Sequence, residues 1–227
     1  MDTLTTIAHI HTDFIEKFGI PRQSGLVEEL TGVIVFEPEF RDASALEGIE
    51  EYRYLWLLWK FEDVSRDNWL RKVRPPRLGG NETRGVFATR SPFRPNPIGL
   101  SSVKLLGVDY DAENGPVLLV SGIDLRDNTP IYDIKPYLEY VDSHPGAGSG
   151  FADRVKDDNL KVIFPPELLN IIPEAKQKAI MSVLSEDPRP HYHNDPSRSY
   201  GVSFAGYNIK FKIADGVLTV YEVTPLD

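Results

Sequence analysis

Arginine, proline and glycine are concentrated in one stretch of the chain, residues 73–100. This stretch contains five arginines and one acid, Glu82, so its net charge is +4 in a chain whose total is −9. Its five prolines and four glycines exclude a long helix and predict a stiff, tightly turned loop. Guanidinium groups on such a loop bind carboxylates and phosphates through paired hydrogen bonds. The stretch is a candidate anion or nucleic-acid site, and the proline-fixed backbone around Arg94 and Asn96 argues against a merely solvated basic surface.

Three further polar segments lie at turns or at the ends of predicted strands. Residues 21–23 follow a turn region, residues 121–124 end one strand, and residues 133–137 end another. Asp133 and Lys135 are two residues apart, so on an extended backbone their side chains share a face, which suits an ion pair as well as catalysis. Each segment alone has a structural explanation, and only their combination indicates a functional site.

Several classes of site are excluded by what the sequence lacks. It has no cysteine, which excludes disulfides, thiolate metal sites and cysteine nucleophiles and is typical of a reducing compartment. The glycine motifs of dinucleotide and nucleoside-triphosphate sites are absent. The His-x-His pairs at His9 and His191 have no third ligand at a telling spacing, so we expect no metal. Without a signal segment or an apolar run of membrane-spanning length, we predict a soluble, cytoplasmic protein.

Short apolar runs bounded by turn residues predict a first part built of strands. Only one helix signal lies among them, at residues 42–47, which favours an antiparallel barrel over a doubly wound parallel sheet. Helical spacing follows over residues 166–184, with a break at Pro173, and the Asp-Gly pair at 215–216 predicts a hairpin. The predicted strands are residues 4–10, 32–36, 54–61, 85–88, 102–108, 117–123, 131–134, 207–214 and 217–223.

These elements predict a mainly β protein with an α+β appendage. Residues 1–142 form a small antiparallel β-barrel domain, residues 143–160 a linker or mobile loop, and residues 161–227 a domain of helices on a small antiparallel sheet. The chain outside the basic stretch carries a charge of −13 and repels polyanions, so any nucleic acid is expected to bind locally.

Five motifs in a fixed order carry the most specific signal. They read PRQSGLV from residue 21, VRPPRLGGN from 73, GVFATRSPFRPNPIGLS from 85, NTPIYDIKPYL from 128 and EDPRPHY from 186. Together they strongly resemble the TrmO family of S-adenosylmethionine-dependent tRNA methyltransferases, in its longer bacterial type. The resemblance implies a homodimer whose β-barrel binds the cofactor. It also implies methyl transfer to N6 of N6-threonylcarbamoyladenosine, the modified base next to the anticodon of tRNA.

The resemblance also places the cofactor contacts on defined positions of this sequence. One segment departs from the family pattern, because Glu62-Asp63 stands where relatives have His-Gln. A backbone contact would survive this change, and a carboxylate can attract the positive charges of S-adenosylmethionine. The resemblance assigns cofactor binding to Pro21, Arg22, Gln23, Glu62, Asp63, Arg90, Leu100, Ser121, Gly122, Ile123 and Asp124.

Transfer of a methyl group to a urea-like nitrogen requires alignment and removal of a proton. Attack on a sulfonium methyl is an in-line displacement that needs no metal, and a general base would take the proton of the target nitrogen. We predict Asp133 as this base, with Tyr137 or Asp124 as alternatives. For the threonyl carboxylate of the substrate, Arg94 offers paired hydrogen bonds and Lys135 a point charge.

The remaining polar residues are predicted to contact RNA. Asn96 can bond the edge of the target base and Phe93 or Tyr137 can stack on it, as in recognition of unstacked loop nucleotides. The EDPRPHY motif is expected to contact tRNA or a partner protomer, because it lies far along the chain from the barrel loops. The alternative functions are a non-catalytic RNA-binding module and another enzyme acting on an adenosyl compound.

Overall fold

Six antiparallel strands close into a barrel in the first part of the chain. The computed structural model describes residues 4–62, 64, 67, 69–75, 78, 82–155, 159–189 and 195–226. The first eight strands are β1 (Ala8–Thr12), β2 (Thr31–Phe36), β3 (Tyr54–Lys60), β4 (Lys72–Val73), β5 (Arg84–Gly85), β6 (Ile98–Asp109), β7 (Val117–Ser121) and β8 (Thr129–Pro136). The barrel order is β1-β2-β7-β6-β3-β8, and β4 and β5 form a separate ribbon. The predicted fold class, mainly β with an antiparallel barrel, is confirmed.

A second sheet lies in the last part of the chain. Its strands have the order β10-β11-β12-β9, and β9 runs parallel to β12. Within the described ranges no helix combines the length and the apolar character needed to span a membrane. The remaining elements are α1 (Glu139–Asp142), β9 (Lys161–Ile163), α2 (Pro166–Leu169), α3 (Glu174–Ser185), β10 (Tyr200–Phe204), β11 (Tyr207–Ala214) and β12 (Val217–Pro225).

The structure corrects two of the predicted strands, the strand pairing in the second sheet and one predicted helix. Residues 86–88 form a 3-10 turn, because both the backbone N–H and the hydroxyl of Thr89 donate to the carbonyl of Val86. The first strand begins at Ala8 rather than at residue 4, and the second sheet is mixed rather than antiparallel. The predicted helix at 42–47 is a 3-10 turn over Ala43–Leu46, capped by the carboxylate of Asp42.

Alternation along β3 and β6 decides which side chains reach the inside of the barrel. Leu57 and Trp59 point inward and are buried, whereas Leu58 lies on the outer face. On the neighbouring strand β6, Ser101 is inside and buried, and Leu100 is outside and half exposed. The largely apolar interior therefore contains the hydroxyl of Ser101 on the strand next to the indole of Trp59.

The segment between β1 and β2 joins the barrel to the second sheet. The rings of Phe14 and Phe204 pack with their centroids 5.2 Å apart, and both side chains are fully buried. Asp13 accepts a hydrogen bond from Lys176 on α3 at 2.5 Å, and its carbonyl accepts one from the N–H of Ala205. The hydrophobic core is continuous across this joint. The division into domains at residues 142 and 161 stays a prediction.

Candidate active site

A cavity of about 500 Å³ opens where the ends of β3 and β6 meet the segment after β1 and the arginine-rich loop. Most of the predicted cofactor residues line it, although they come from five separate parts of the chain. The predicted site residues in its wall are Pro21, Arg22, Gln23, Glu62, Arg90, Arg94, Leu100 and Asp124. The three residues that precede Asp124 are not in the cavity wall, and their role in cofactor binding stays a prediction. The N–H of Gly122 donates to the carbonyl of Leu30, and the carbonyl of Gly122 accepts from the N–H of Gly25.

The residues before Asp124 form a buried corner of the backbone. Ser121 and Ile123 are buried, and Gly122 has a φ of 72°, which favours glycine. This corner directs the Asp124 side chain into the cavity wall. The remaining predicted contact, Asp63, lies outside the described residues.

Asp124 is the end of a buried chain of hydrogen bonds. The indole N–H of Trp59 donates to Ser101 Oγ at 2.9 Å, and Ser101 Oγ donates to Asp124 Oδ1 at 2.6 Å. Burial raises the pKa of Asp124 to about 6, although the bond from Ser101 and the charge of Arg90 favour the ionised form. Near neutral pH the cavity therefore presents a carboxylate that is mostly ionised and poorly solvated.

Two hydrogen-bonded pairs of polar side chains shape the rim of the cavity. The guanidinium of Arg90 donates to the side-chain oxygen of Gln23, which joins the loop to the segment after β1. Arg126 binds Glu62 at 2.7 Å. Glu62, which stands where relatives have another residue, is thus neutralised by Arg126. Its charge is less available to a ligand than that of Asp124.

Sequence reasoning missed Trp59 and Arg126 in the cavity wall, and the hydroxyl of Ser101 behind it. Trp59, Ser101 and Arg126 were not predicted, because their roles depend on strand register that brings distant positions together. The only available signal was Ser101, a hydroxyl on the inward face of an otherwise apolar strand.

The predicted substrate residues are divided between the cavity and the outer face of the barrel. Arg94 lines the cavity, but its NH1 group donates to the carbonyls of Val86 and Thr89 at 3.1 and 2.7 Å. Arg94 therefore braces the turn before it, which the sequence did not predict. Asn96 is exposed and does not line the cavity.

Asp133 and Lys135 lie on β8 and Tyr137 directly follows it, and none of the three lines the cavity. Asp133 and Lys135 form an ion pair at 2.8 Å, which is one of the two roles that the sequence suggested for this pair. Asp133 pairs with Leu58, which pairs with Leu100 of the cavity rim. Two strand spacings amount to roughly 10 Å, so Asp133 is on the same outer face at a short distance from the rim.

Residues 186–189, the described part of the EDPRPHY motif, are next to the cavity, although they are far from its other residues in sequence. The guanidinium of Arg22 donates to the carbonyls of Asp187 and Arg189 at 3.2 and 3.4 Å. Asp187 is buried, has a φ of 50°, and accepts hydrogen bonds from the backbone N–H and the Nε of Arg189. Its carboxylate thus shapes the turn that holds Arg22. The last three residues of the motif lie outside the described residues.

Comparison with known proteins identifies the family. The model of the tRNA-methyltransferase O N-terminal domain matches residues 9–143, and that of the TrmO C-terminal domain matches residues 157–226. The chain belongs to the TrmO family. This confirms the resemblance and the prediction that the protein is a methyltransferase.

Relatives match the TrmO chain along nearly its whole length. The tRNA (adenine(37)-N6)-methyltransferase of Escherichia coli is 37% identical over 227 residues, which cover 96% of each chain. A putative S-adenosylmethionine-dependent methyltransferase of Pseudomonas aeruginosa is 40% identical and covers 88% of this chain and 87% of its own. A crystal structure of TrmO from P. aeruginosa superposes with a TM-score of 0.80 at 33% identity, covering 100% of this chain and 98% of that one.

The cavity of this TrmO protein fits an adenosyl sulfonium. Its volume lies within the range of small-molecule sites, and its wall combines apolar surface with a few convergent polar groups. The ionised carboxylate of Asp124 suits a positively charged ligand, and the exposed guanidinium of Arg90 suits a carboxylate. Among the described residues no group of three or more His, Cys, Asp or Glu side chains could hold a metal ion.

Replacement of Arg90 by alanine should weaken S-adenosylmethionine binding about tenfold, because a charge-assisted hydrogen bond is lost at an exposed position. The fold should be unaffected, and Arg90→Lys should regain part of the affinity. Isothermal titration calorimetry measures the affinity, with Arg53→Ala as the control at another exposed arginine. An Arg90→Ala protein that binds as tightly as the Arg53→Ala protein would remove Arg90 from the site.

Replacement of Asp187 by alanine should also weaken cofactor binding several-fold, through Arg22. Alanine removes the acceptor that shapes the turn and is strained at positive φ, whereas Asp187→Asn keeps an acceptor and tolerates this backbone. Calorimetry on Asp187→Ala, Arg22→Ala and the double variant tests the link. The double variant should bind no more weakly than Arg22→Ala alone, and additive losses of affinity would contradict the coupling.

Proposed function

We propose that this protein transfers a methyl group from S-adenosylmethionine to N6 of N6-threonylcarbamoyladenosine next to the anticodon of tRNA. The proposal rests above all on the match with the E. coli tRNA (adenine(37)-N6)-methyltransferase along 96% of both chains. It is supported by a cavity that fits the cofactor and is bordered by an arginine-rich loop. A tRNA substrate would place the enzyme in the cytoplasm, and the family resemblance implies a homodimer.

The proposed roles of the residues follow from their positions. S-adenosylmethionine supplies an electrophilic methyl group. Asp124 attracts the positive charge of the bound cofactor, while Arg90 and Arg22 hold its polar groups in the cavity wall. Fixed positions of this kind contribute most of the rate in a displacement that requires alignment.

The acceptor base would approach over the outer face of the barrel, beside Leu100. Asp133 remains our proposed general base, since it lies on this face and faces solvent in part. Lys135 and Arg94 provide positive charge for the threonyl carboxylate, and Tyr137 and Asn96 contact the base itself. Tyr137 packs on Trp56, with ring centroids 5.6 Å apart, so its ring is held in a defined orientation.

Methylation of defined tRNA tests the proposal directly. The purified protein is incubated with labelled S-adenosylmethionine and tRNA from cells with or without the threonylcarbamoyl modification, and the methylated nucleoside is identified by mass spectrometry. We expect label only in the modified tRNA, at N6 of the threonylcarbamoyl nucleoside. Equal methylation of unmodified tRNA, or label at another atom, would contradict the proposed substrate.

A further inference from the structure

An exposed aromatic ring stands in the basic region beside the cavity. Phe87 is 74% exposed and lies in the 3-10 turn that follows β5. A single exposed apolar residue is ordinary, but Phe87 has exposed apolar neighbours in Leu70 and Phe93. The N–H of Leu70 donates to the carbonyl of Phe93 at 3.1 Å, so these parts belong to one surface.

The backbone around Phe87 is fixed by three hydrogen bonds with Arg71 and Arg94. The N–H of Val86 donates to the carbonyl of Arg71 at 3.1 Å, which ties the turn to β4. Arg94 donates to the carbonyls of Val86 and Thr89, and its guanidinium lies 5.7 Å from the centre of the Phe87 ring. An aromatic ring held in place under a cation, and still largely open to solvent, is preorganised to stack on another flat group.

The same surface is rich in positive charge, although the chain as a whole is acidic. We define the basic platform as residues 69–75 and 82–94, in which six cations accompany a single acid, Glu82. Glu82 pairs with Arg84 at 2.5 Å, and Arg71, Lys72 and Arg74 are exposed. Phosphates bind such cations, while unstacked bases of RNA loops stack on aromatic rings and guanidinium planes.

We propose that the basic platform docks the anticodon loop of the substrate RNA, with Phe87 stacking on an unpaired base near the one that is methylated. Arg90 and Arg94 belong to both the platform and the cavity wall, so an RNA on the platform lies next to the cofactor. The identity of this RNA rests on the proposed function, whereas the stacking role of Phe87 rests on its exposure and on its neighbours.

Binding of a fluorescently labelled anticodon stem-loop, followed by anisotropy without the cofactor, tests the platform. We expect Phe87→Ala to weaken binding about tenfold and Phe87→Trp to retain it within about threefold, since stacking tolerates any aromatic ring. The control is Tyr140→Ala, because Tyr140 is 84% exposed but is flanked on α1 by Glu139 and Asp142. It should bind like the unchanged protein.

The outcomes separate this inference from the proposed function. Equal binding by Phe87→Ala and Tyr140→Ala, or absence of stem-loop binding by the unchanged protein, overturns the role of the platform even if the tRNA is methylated. A loss specific to Phe87→Ala, with a salt dependence like that of the unchanged protein, supports it even if the methylated atom proves to be a different one. Unfolding curves of both variants check that neither loses the fold.

Discussion

Replacement of Asp124 by asparagine should stabilise the folded protein near pH 8 while removing most of its affinity for S-adenosylmethionine. Asparagine keeps the shape and can still accept the hydrogen bond from Ser101. It removes a charge whose burial destabilises the folded protein. It also removes the carboxylate that is proposed to attract the cofactor. We expect the affinity to fall roughly tenfold to a hundredfold, as for loss of a hydrogen bond to a charged group.

The gain in stability should depend on pH in a defined direction. Burial raises the pKa of Asp124 from 3.8 to about 6, so the folded protein holds this proton more tightly than the unfolded chain does. Between about pH 4 and about pH 6, Asp124 has lost its proton in the unfolded chain but still holds it in the folded protein. Rising pH therefore favours the unfolded chain, and the free energy of unfolding falls. The amide of the Asp124→Asn protein has no proton to lose in this range. The difference in the free energy of unfolding between the two proteins should be absent below about pH 4 and reach about 2–3 kcal/mol above pH 6. Solvent that reaches Asp124 through the open side of the cavity reduces this value.

Urea unfolding at several pH values and calorimetric titration with the cofactor measure the two effects. Asp111→Asn is the matched control, because Asp111 is exposed and lies outside the cavity. It should change neither quantity. An Asp124→Asn protein with unchanged affinity would show that the carboxylate does not contact the ligand, and one with lower stability at pH 8 would show that the buried charge is compensated.

Replacement of Gly99 by alanine should destabilise the barrel by about 2–3 kcal/mol, as overpacking of a core does. A Cβ at this position would lie 2.2 and 2.4 Å from Cε2 and Cζ2 of Trp59. The indole cannot easily move away, because the ring of Phe61 packs on it with the centroids 4.3 Å apart and its N–H donates a hydrogen bond to Ser101. Since Trp59 and Ser101 hold Asp124, cofactor affinity should fall as well.

Chemical denaturation of three variants tests this steric explanation. Gly107→Ala, on the same strand β6, is the control, because a Cβ there meets no atom within 4 Å. Adding Trp59→Phe to Gly99→Ala should restore part of the lost stability, since a smaller ring relieves the contact. If the denaturation midpoint of Gly99→Ala equals that of Gly107→Ala, the barrel accommodates the added methyl group without loss of stability.

The fold could be predicted from the sequence more fully than the site. Alternation and turn residues are local signals, and they were sufficient for the barrel and for the hairpin at Asp215. Strand β10 and the parallel pairing of β9 were missed, because neither is marked by its own residues and both depend on tertiary contacts. A strand of three residues carries too little periodicity to be recognised.

The site shows the same limit in its electrostatics. Its motifs were visible because arginine and proline are concentrated in them, but the environment of Asp124 was not. That environment comes from Ser101, which is 23 residues from Asp124 in sequence, and from Trp59, which is 42 residues from Ser101. Strand register brings these three residues together. Likewise, nothing in the sequence indicated that Asp187 would hold Arg22, since 165 residues separate the two.

The continuous core at Phe14 and Phe204 has a consequence for the lifetime of the protein. Because barrel and second sheet share buried surface, and Arg22 binds the turn at Asp187, a ligand bound in the cavity should oppose local opening in both parts. Proteases cleave chains that open. A peptide bond in the second sheet should therefore survive longer when S-adenosylmethionine is plentiful, so that turnover of the enzyme becomes linked to the supply of its methyl donor.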